Sequence, residues 1–227
     1  MKNIRCILTD IEGTTTSVSF VYDVLFPYFR EHIQDALTLE KSQLDLIIEQ
    51  TKIAAKEENI SLNSTEDCLK QLIQWSLDDK KITPLKNLQG LIWEKGYEQS
   101  KIKGHIYADV PEMLEKWHKA GIQLAVYSSG SVRAQQLLFG NSEFGNLMPY
   151  FSAYFDTKVG HKREKASYQT IAKQLNLNPT EILFLSDIEE ELDAATLAGM
   201  NVVQLTRPGT VASKKYTTVH TFKEIIT

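Results

Sequence analysis

The sequence of 227 residues has only two cysteines, no long hydrophobic run and no extended block of one charge. Because Cys6 and Cys68 stand far apart, the chain offers neither a disulfide framework nor a zinc-type ligand spacing. No apolar run approaches the ~20 residues of a membrane-spanning helix. A candidate catalytic acid already stands at position 10, which leaves no room for a signal peptide. We therefore expect a cytoplasmic protein that makes no membrane contact.

The charge balance is ordinary for a globular protein, with 24% charged residues and a formal net charge of -4. Neither a basic patch nor an acidic tail is present, and nucleic-acid binding depends on clustered Lys and Arg, so nucleic acid is not an expected partner. The hydrophobic fraction of 42% suffices for a large core. We expect one large domain or a core domain with a smaller companion, in a monomeric protein.

Short apolar runs rich in β-branched residues recur along the chain and predict strands that are buried on both faces. These runs are Ile4–Thr9, Ile122–Tyr127, Ile182–Leu185 and Val202–Leu205. Segments with helical periodicity precede the later runs, at Val110–Lys119, Glu164–Leu175 and Glu189–Ala198. This alternation predicts an α/β fold with a doubly wound parallel sheet.

A different pattern occupies the stretch from Ser19 to Ile102, where apolar residues follow helical spacing throughout. The pattern predicts an all-helical cap inserted after the first strand. We place the core domain at residues 1–16 and 104–227 and the cap at residues 17–103. Hinges are expected near Thr15–Ser19 and Lys103–Ala108.

Carboxylates follow two of the predicted strands. Asp10 and Glu12 come directly after the first strand, and Asp187 follows Ile182–Leu185. Ligands of open α/β sheets bind outside the carboxyl ends of the strands, so these side chains should meet at one edge. Carboxylate oxygens suit a hard cation such as Mg²⁺, which completes its shell with water and substrate phosphate. The sequence thus predicts one Mg²⁺ per chain, held by Asp10, Glu12 and Asp187.

Groups that suit a phosphate follow two further strand ends. Ser128 and Ser129 offer hydroxyls, and the glycine after them lets the backbone approach an anion. Lys162 offers a point charge, although it stands in a charged run and Lys158 is a rival. Taken alone, the two serines indicate caps of a helix that begins at Val132. In combination with the acids they predict a pocket for a phosphoryl group.

The same carboxylates can perform phosphoryl transfer. An aspartate that accepts the phosphoryl group divides one difficult displacement into two easier steps, and Asp10 is the natural nucleophile. Glu12 would then give a proton to the leaving oxygen and later take one from the attacking water. Such general acid/base catalysis typically contributes ~10²–10⁴-fold in rate.

Four segments carry a family resemblance: Asp10–Thr15, Tyr127–Val132, Phe155–Lys162 and Arg207–Gly209. With them the chain resembles the haloacid-dehalogenase-like phosphohydrolases over nearly its whole length, and among these the acireductone synthases, the enolase-phosphatases of methionine salvage. The first motif of the superfamily is usually Asp-x-Asp, whereas this chain has Glu12 at the third position. The difference extends the acid/base group by one methylene.

The resemblance implies a Rossmann-like core with a helical cap, a Mg²⁺ requirement and a small phosphorylated diketone as substrate. That substrate, 2,3-diketo-5-methylthiopentyl-1-phosphate, would be enolised and then dephosphorylated to the acireductone 1,2-dihydroxy-3-keto-5-methylthiopentene. The positions that match the family's metal and substrate-phosphate contacts are Asp10, Glu12 and Asp187 for the metal and Ser128, Ser129 and Lys162 for the phosphate. Glu191 is implied behind them, where it would hold a metal-bound water or orient Lys162. The residues do not single out a base for enolisation.

Two alternatives stay open at this point. The first is a phosphomonoesterase of the same fold that acts on another small phosphorylated metabolite. The second is a receiver-type signalling module, which shares a parallel sheet, an aspartyl phosphoacceptor, a lysine and Mg²⁺. The candidate nucleophile ends the first strand here and some eighty residues separate it from the next strand, far more than an ordinary loop, which disfavours a receiver.

Overall fold

The structure is a computed structural model that describes residues 3–226, and its central feature is a parallel β-sheet. The six strands found in these residues are β1 (Cys6–Thr9), β2 (Gln123–Tyr127), β3 (Ala153–Phe155), β4 (Ile182–Ser186), β5 (Asn201–Leu205) and β6 (Thr218–Val219). They lie in the order β3-β2-β1-β4-β5-β6, and every pairing is parallel. The predicted doubly wound parallel sheet is therefore confirmed.

Helices connect these strands. The longer ones span Val110–Lys119, Val132–Gly140, Lys165–Leu175 and Glu189–Leu197, and single-turn helices span Val18–Phe20, Met148–Tyr150, Thr157–Val159, Pro179–Glu181 and Phe222–Glu224. The sequence prediction for the first of these helices agrees at both ends, and the predictions for the third and the fourth differ by one residue at one end. Each of the four provides the crossover that a parallel pair of strands requires.

The central strands are buried on both faces. All four residues of β1 and all five of β4 are buried, which explains why their sequences are continuously apolar instead of alternating. Two strands escaped the sequence analysis because this signal is weak in them. β3 has three residues, of which Ala153 and Tyr154 are only partly buried, and β6 has two residues. A run this short carries no readable period.

The chain divides into two compact units. One comprises the chain up to Phe20 together with the chain from Lys103 onward, and it contains the sheet; the other is Val21–Ile102. Every regular element of the second unit is helical: Val21–Leu25, Phe26–Glu31, Ile33–Thr38, Lys41–Glu57, Thr65–Leu77 and Thr83–Glu98. Trp75 is fully buried in this unit, and the indole of Trp93 donates a hydrogen bond to the carbonyl of Leu25 at 2.8 Å. Both tryptophans thus have a packing role.

None of the helices within residues 3–226 combines the length and the apolar character that a membrane crossing requires.

Candidate active site

A buried charge cluster lies at the carboxyl ends of the strands. The ammonium Nζ of Lys162 is 2.5 Å from Oδ1 of Asp10 and 2.7 Å from Oε2 of Glu191. All three side chains are buried. Burial alone would lower the pKa of Lys162, but the charges of Asp10 and Glu191 outweigh it and hold this pKa above its usual value. The lysine is therefore a permanent cation that faces two carboxylates.

The surrounding backbone fixes Lys162 and Asp10. The amide N–H of Asp10 donates to the carbonyl of Leu185 at 2.9 Å, which extends the β1–β4 ladder by one residue and orients the acid. The hydroxyl of Tyr168, a fully buried residue, donates to the carbonyl of Lys162 at 2.7 Å. The rival Lys158 is exposed on the single-turn helix after β3. The structure thus places Lys162, and not Lys158, beside Asp10.

Glu191 lies in the first turn of the helix Glu189–Leu197. Its Oε2 also accepts a hydrogen bond from the hydroxyl of Ser186, the last residue of β4, at 2.9 Å. Burial and the nearby charge of Asp10 raise the pKa of Glu191, while Lys162 and Ser186 oppose this rise. The family resemblance implied that Glu191 orients Lys162 or holds a metal-bound water, and the structure shows its direct contact with Lys162.

Asp187 follows β4 immediately and is incompletely paired. Its Oδ1 is buried without a hydrogen-bond partner. Burial, followed by the negative charge of Asp10, raises the pKa of Asp187 to about 7. On the other side the carboxylate lies against Gly13, where a Cβ would come within 2.3 Å of Oδ2. Only a glycine leaves room for Asp187 in this position.

The turn after β1 carries Glu12. Gly13 adopts a left-handed conformation with φ of 70°, and its N–H donates to the carbonyl of Thr16 at 2.8 Å. The N–H groups of the three threonines that follow all donate to the carbonyl of Ile11 at 2.9 to 3.2 Å. Glu12 and Thr16 form an isolated parallel bridge across this turn. The side chain of Glu12 is partly buried.

The predicted phosphate loop follows β2. Ser128 is buried, its N–H donates to the carbonyl of Phe155, and its hydroxyl oxygen accepts from the N–H of Gly130 at 3.2 Å. Ser129 is partly buried beside it. Ser131, and neither of these serines, caps the helix Val132–Gly140, because its Oγ accepts from the N–H of Ala134. The expectation that Ser128 and Ser129 cap this helix, which each would carry if taken alone, is therefore wrong, since its N-cap is Ser131.

Comparison with known proteins identifies the family. A model of haloacid dehalogenase-like hydrolases matches residues 4–199. Curated proteins named Enolase-phosphatase E1 are similar over most of their length: the one from Picosynechococcus is 51% identical over 98% of both chains, and the one from Drosophila melanogaster is 49% identical over 92% of this chain and 85% of its own. This chain belongs to the haloacid dehalogenase-like hydrolases and, within them, to the family of these E1 proteins.

Comparison with solved structures supports the same family. The crystal structure of the UTR4 protein from Saccharomyces cerevisiae matches with a TM-score of 0.81 and 32% identity, over 98% of this chain and 100% of that chain. The family resemblance expected from the four motifs is confirmed. The receiver-type alternative is set aside by the same assignment.

The carboxylates of Asp10 and Asp187 suit a divalent cation, although they do not yet surround a metal site. Within residues 3–226 no three His, Cys, Asp or Glu side chains already form a group that could hold a metal ion. Asp187 nevertheless presents a buried oxygen that lacks a partner, and its pKa is raised by burial and, after that, by the negative charge of Asp10. A cation between these two acids would relieve both conditions, and Mg²⁺ commonly uses only one or two protein carboxylates. The residues present therefore fit Mg²⁺.

Sequence reasoning missed several polar residues that hold this site together. Gln204, which is buried in β5, donates to the carbonyl of Asp187 at 2.9 Å and accepts from the N–H of Ser213 at 2.7 Å. Gln135 donates to the carbonyls of Gly130 and Phe155 at 2.9 and 2.8 Å. A lone glutamine in an apolar strand or helix is a weak signal, because nothing in the sequence indicates which distant backbone group it meets. Their effect is to fix the loops that carry the charged side chains.

Proposed function

We propose that this hydrolase is a Mg²⁺-dependent enolase-phosphatase that converts 2,3-diketo-5-methylthiopentyl-1-phosphate to the acireductone 1,2-dihydroxy-3-keto-5-methylthiopentene and phosphate, a reaction of methionine salvage. The name and the roughly half-identical sequences of the E1 relatives support the substrate. The observation that carries the proposal is the contact of Lys162 with Asp10 at 2.5 Å, because it joins a nucleophile and a phosphate-binding cation in one buried site.

Asp10 is the phosphoryl acceptor. Its carboxylate attacks phosphorus, the bond between phosphorus and the substrate oxygen breaks, and Glu12 gives that oxygen a proton. Glu12 then accepts a proton from water, and the resulting hydroxide attacks the phosphoaspartate, which restores Asp10 and releases phosphate. Lys162 stabilises the charge on the phosphoryl oxygens through both steps.

The loop after β2 binds the phosphate before transfer. The hydroxyl oxygen of Ser128 already accepts a hydrogen bond from Gly130, so its proton is directed elsewhere and can be donated to a phosphoryl oxygen. Ser129 provides the second hydroxyl. Gln135 supports the loop from behind through the carbonyl of Gly130. The two serine hydroxyls orient the phosphoryl group through uncharged hydrogen bonds.

Asp10, Glu12 and Asp187 hold the metal in this proposal. When bound, Mg²⁺ would neutralise negative charge on the phosphoryl oxygens and polarise the diketone. Asp187 is the strongest candidate ligand, because its buried Oδ1 lacks a partner. Glu191 keeps Lys162 in place through their contact at 2.7 Å.

The helical unit Val21–Ile102 is the cap domain of this proposal. Support for this role comes from its place in the chain, between β1, which Asp10 follows, and the other strands of the sheet. The monomeric state and the cytoplasmic location stay predictions.

The test is a phosphate-release assay on the diketo-phosphate, with and without Mg²⁺, in parallel with the absorbance of the enol product. We expect phosphate release and an enol signal that both depend on Mg²⁺ and on the diketone. Phosphate release from simple phosphate esters without any enol signal from the diketone would favour the phosphomonoesterase alternative. No release from any phosphate ester would refute the proposal.

A further inference from the structure

A second buried ion pair, between Arg207 and Asp109, lies against the turn after β1. Arg207, two residues beyond β5, is 5% exposed, and its guanidinium binds Asp109 in a bidentate manner, with distances of 2.8 and 2.9 Å to the two carboxylate oxygens. Asp109 also accepts from the N–H of Phe222 at 2.7 Å. Nη1 of Arg207 also donates to the carbonyl of His220 at 2.9 Å, so the pair is held on several sides, and the Nε–H of Arg207 has a different target.

That target is the turn that carries Glu12. The Nε of Arg207 donates to the carbonyl of Thr14 at 3.1 Å. The next carbonyl, that of Thr15, accepts from the N–H of Tyr107 at 3.0 Å. The ring of Tyr107 in turn lies 4.1 Å from the guanidinium carbon of Arg207. The carbonyls of Thr14 and Thr15 are thus bound by Arg207 and Tyr107, which also contact each other.

These contacts support from outside a turn whose backbone N–H groups are satisfied internally. The N–H groups of residues 13–16 are used within the turn itself, on the carbonyls of Ile11 and Thr16. Internal hydrogen bonds fix the shape of the turn but not its orientation relative to the sheet. The bonds from Arg207 and Tyr107 hold that orientation at Thr14 and Thr15, and His105 holds the following end through Oγ1 of Thr16 at 3.0 Å.

We propose that the Arg207–Asp109 pair is a positioning device that sets the direction of the Glu12 side chain toward the leaving oxygen. The inference rests on the proposed function, in which Glu12 protonates that oxygen. A planar guanidinium with a fixed fork of donors suits this task better than an ammonium, because it binds the carboxylate and the carbonyl in one geometry.

The reaction offers a readout that separates positioning from stability. A primary alkyl phosphate needs a proton on its leaving oxygen, whereas p-nitrophenyl phosphate releases a stable anion and needs none. A misdirected Glu12 therefore slows the alkyl ester far more than the aryl ester. A variant that only destabilises the fold slows both esters by the same factor, because it reduces the amount of active protein.

The experiment measures kcat and KM for both esters in Arg207→Lys, with Glu12→Gln as reference and Met200→Ala as the stability control. Met200 is buried in the sheet core, before the start of β5. We expect Arg207→Lys to lower kcat/KM on the alkyl ester by at least about tenfold more than on the aryl ester, and Glu12→Gln to show the same selectivity. The ratio is taken in kcat/KM because this constant reports phosphoryl transfer to Asp10, whereas the later hydrolysis is common to both esters. Met200→Ala should keep the wild-type ratio.

Tyr107 supplies a second and milder variant in case Arg207→Lys folds poorly. Tyr107→Leu removes the ring against the guanidinium and should shift the ratio in the same direction, while Tyr107→Phe keeps the ring and should restore the wild-type ratio. An unchanged ratio in both Arg207→Lys and Tyr107→Leu would overturn the inference alone. A wild-type protein that releases phosphate from neither ester nor the diketo-phosphate would instead overturn the proposed function and the inference with it.

Discussion

Nζ of Lys162 lies 2.5 Å from Oδ1 of Asp10, and the two residues are 152 positions apart in the chain. The contact joins the end of β1 to the segment after β3, and both side chains are only 6% exposed. Two charges in such a place persist because each compensates the other, since an unpaired buried charge is costly. The same geometry makes Lys162 the natural partner of a phosphoryl group that approaches Asp10.

Replacement of Lys162 should therefore impair both activity and stability. We expect Lys162→Ala to lower kcat/KM by about 10²–10³-fold, as for the loss of one preorganised charge-stabilising group. It should also lower the free energy of unfolding by on the order of 3 kcal/mol, because Asp10 and Glu191 lose their cation. Steady-state kinetics and urea unfolding measure the two effects.

Lys158→Ala is the matched control for that experiment, because Lys158 is exposed four residues earlier in the same segment. It should leave both quantities close to their wild-type values. If Lys158→Ala instead gave the large loss and Lys162→Ala the small one, the roles of the two lysines would have to be exchanged.

The stability of the metal-free protein should depend on pH through Asp187. Its pKa is raised from 3.8 to about 7 in the folded protein, mainly by burial. Between its unfolded-state and folded-state pKa values, such a carboxyl is protonated in the folded protein and ionised in the unfolded chain. Its contribution to the free energy of unfolding is therefore complete below the unfolded-state pKa and is lost as the pH rises through the folded-state pKa. The metal-free protein should thus lose stability between about pH 4 and pH 7.

Asp187→Asn removes this penalty, so we expect it to stabilise the metal-free protein at pH 8 by on the order of 2 kcal/mol, and much less at pH 5. Mg²⁺ should raise the melting temperature of the wild-type protein more at pH 8 than at pH 6, because protons compete for the ligand, and this gain should largely vanish in the variant. Glu189→Gln, at an exposed carboxylate nearby, serves as the control. Equal Mg²⁺ stabilisation in wild type and Asp187→Asn would exclude Asp187 as a ligand.

Gly13 tests the same site by steric means. In Gly13→Ala the new Cβ would meet Oδ2 of Asp187 at 2.3 Å, so Asp187 must move, and Mg²⁺ affinity and kcat should both fall at least about tenfold. Gly209→Ala is the matched control, because Gly209 has φ of 94° but no atom within 4 Å of its virtual Cβ. It should cost only the backbone strain of about 1–2 kcal/mol. Calorimetric Mg²⁺ titration distinguishes the two, and equal affinities in both variants would contradict the assigned position of Asp187.

Two nearby serines should respond differently to the same substitution. Ser128→Ala removes the predicted phosphate contact and should raise KM and the inhibition constant of inorganic phosphate by about tenfold; it also removes the acceptor of the Gly130 N–H, at a cost of about 1 kcal/mol of stability. Ser131→Ala removes a helix cap, so it should cost about 1 kcal/mol of stability and leave KM unchanged. A KM effect confined to Ser131→Ala would move the phosphate contact away from Ser128.

The sequence predicted the sheet class, because its central strands are buried on both faces and therefore read as continuous apolar runs. It did not locate β3, since three residues with two of them half-buried have no readable pattern. The strand matters because it leads to Lys162. Lys162 could still be predicted as a phosphate-binding residue, because the Phe155–Lys162 motif resembles a known family.

The roles of Asp109 and Gln204 could not be predicted from the sequence for a different reason. Asp109 stands directly before Val110-Pro111 and has the pattern of a helix N-cap, yet its side chain caps nothing and binds Arg207, 98 positions away. Likewise Gln204 meets the carbonyl of Asp187 only because β4 and β5 are neighbours. Such contacts depend on register and loop conformation, which local periodicity does not encode.

The account depends on Asp10 as the covalent phosphoryl acceptor. The direct measurement is peptide mass spectrometry after acid quench of the Glu12→Gln variant with p-nitrophenyl phosphate. This leaving group needs no proton from Glu12, whereas hydrolysis of the phosphoaspartate needs Glu12 as a base, so the intermediate should accumulate. We predict one phosphoryl group on the peptide that contains Asp10, its absence in an Asp10→Asn/Glu12→Gln protein, and no phosphate release by folded Asp10→Asn. Full phosphate release by Asp10→Asn, or a phosphoryl group on any other residue, would contradict the account.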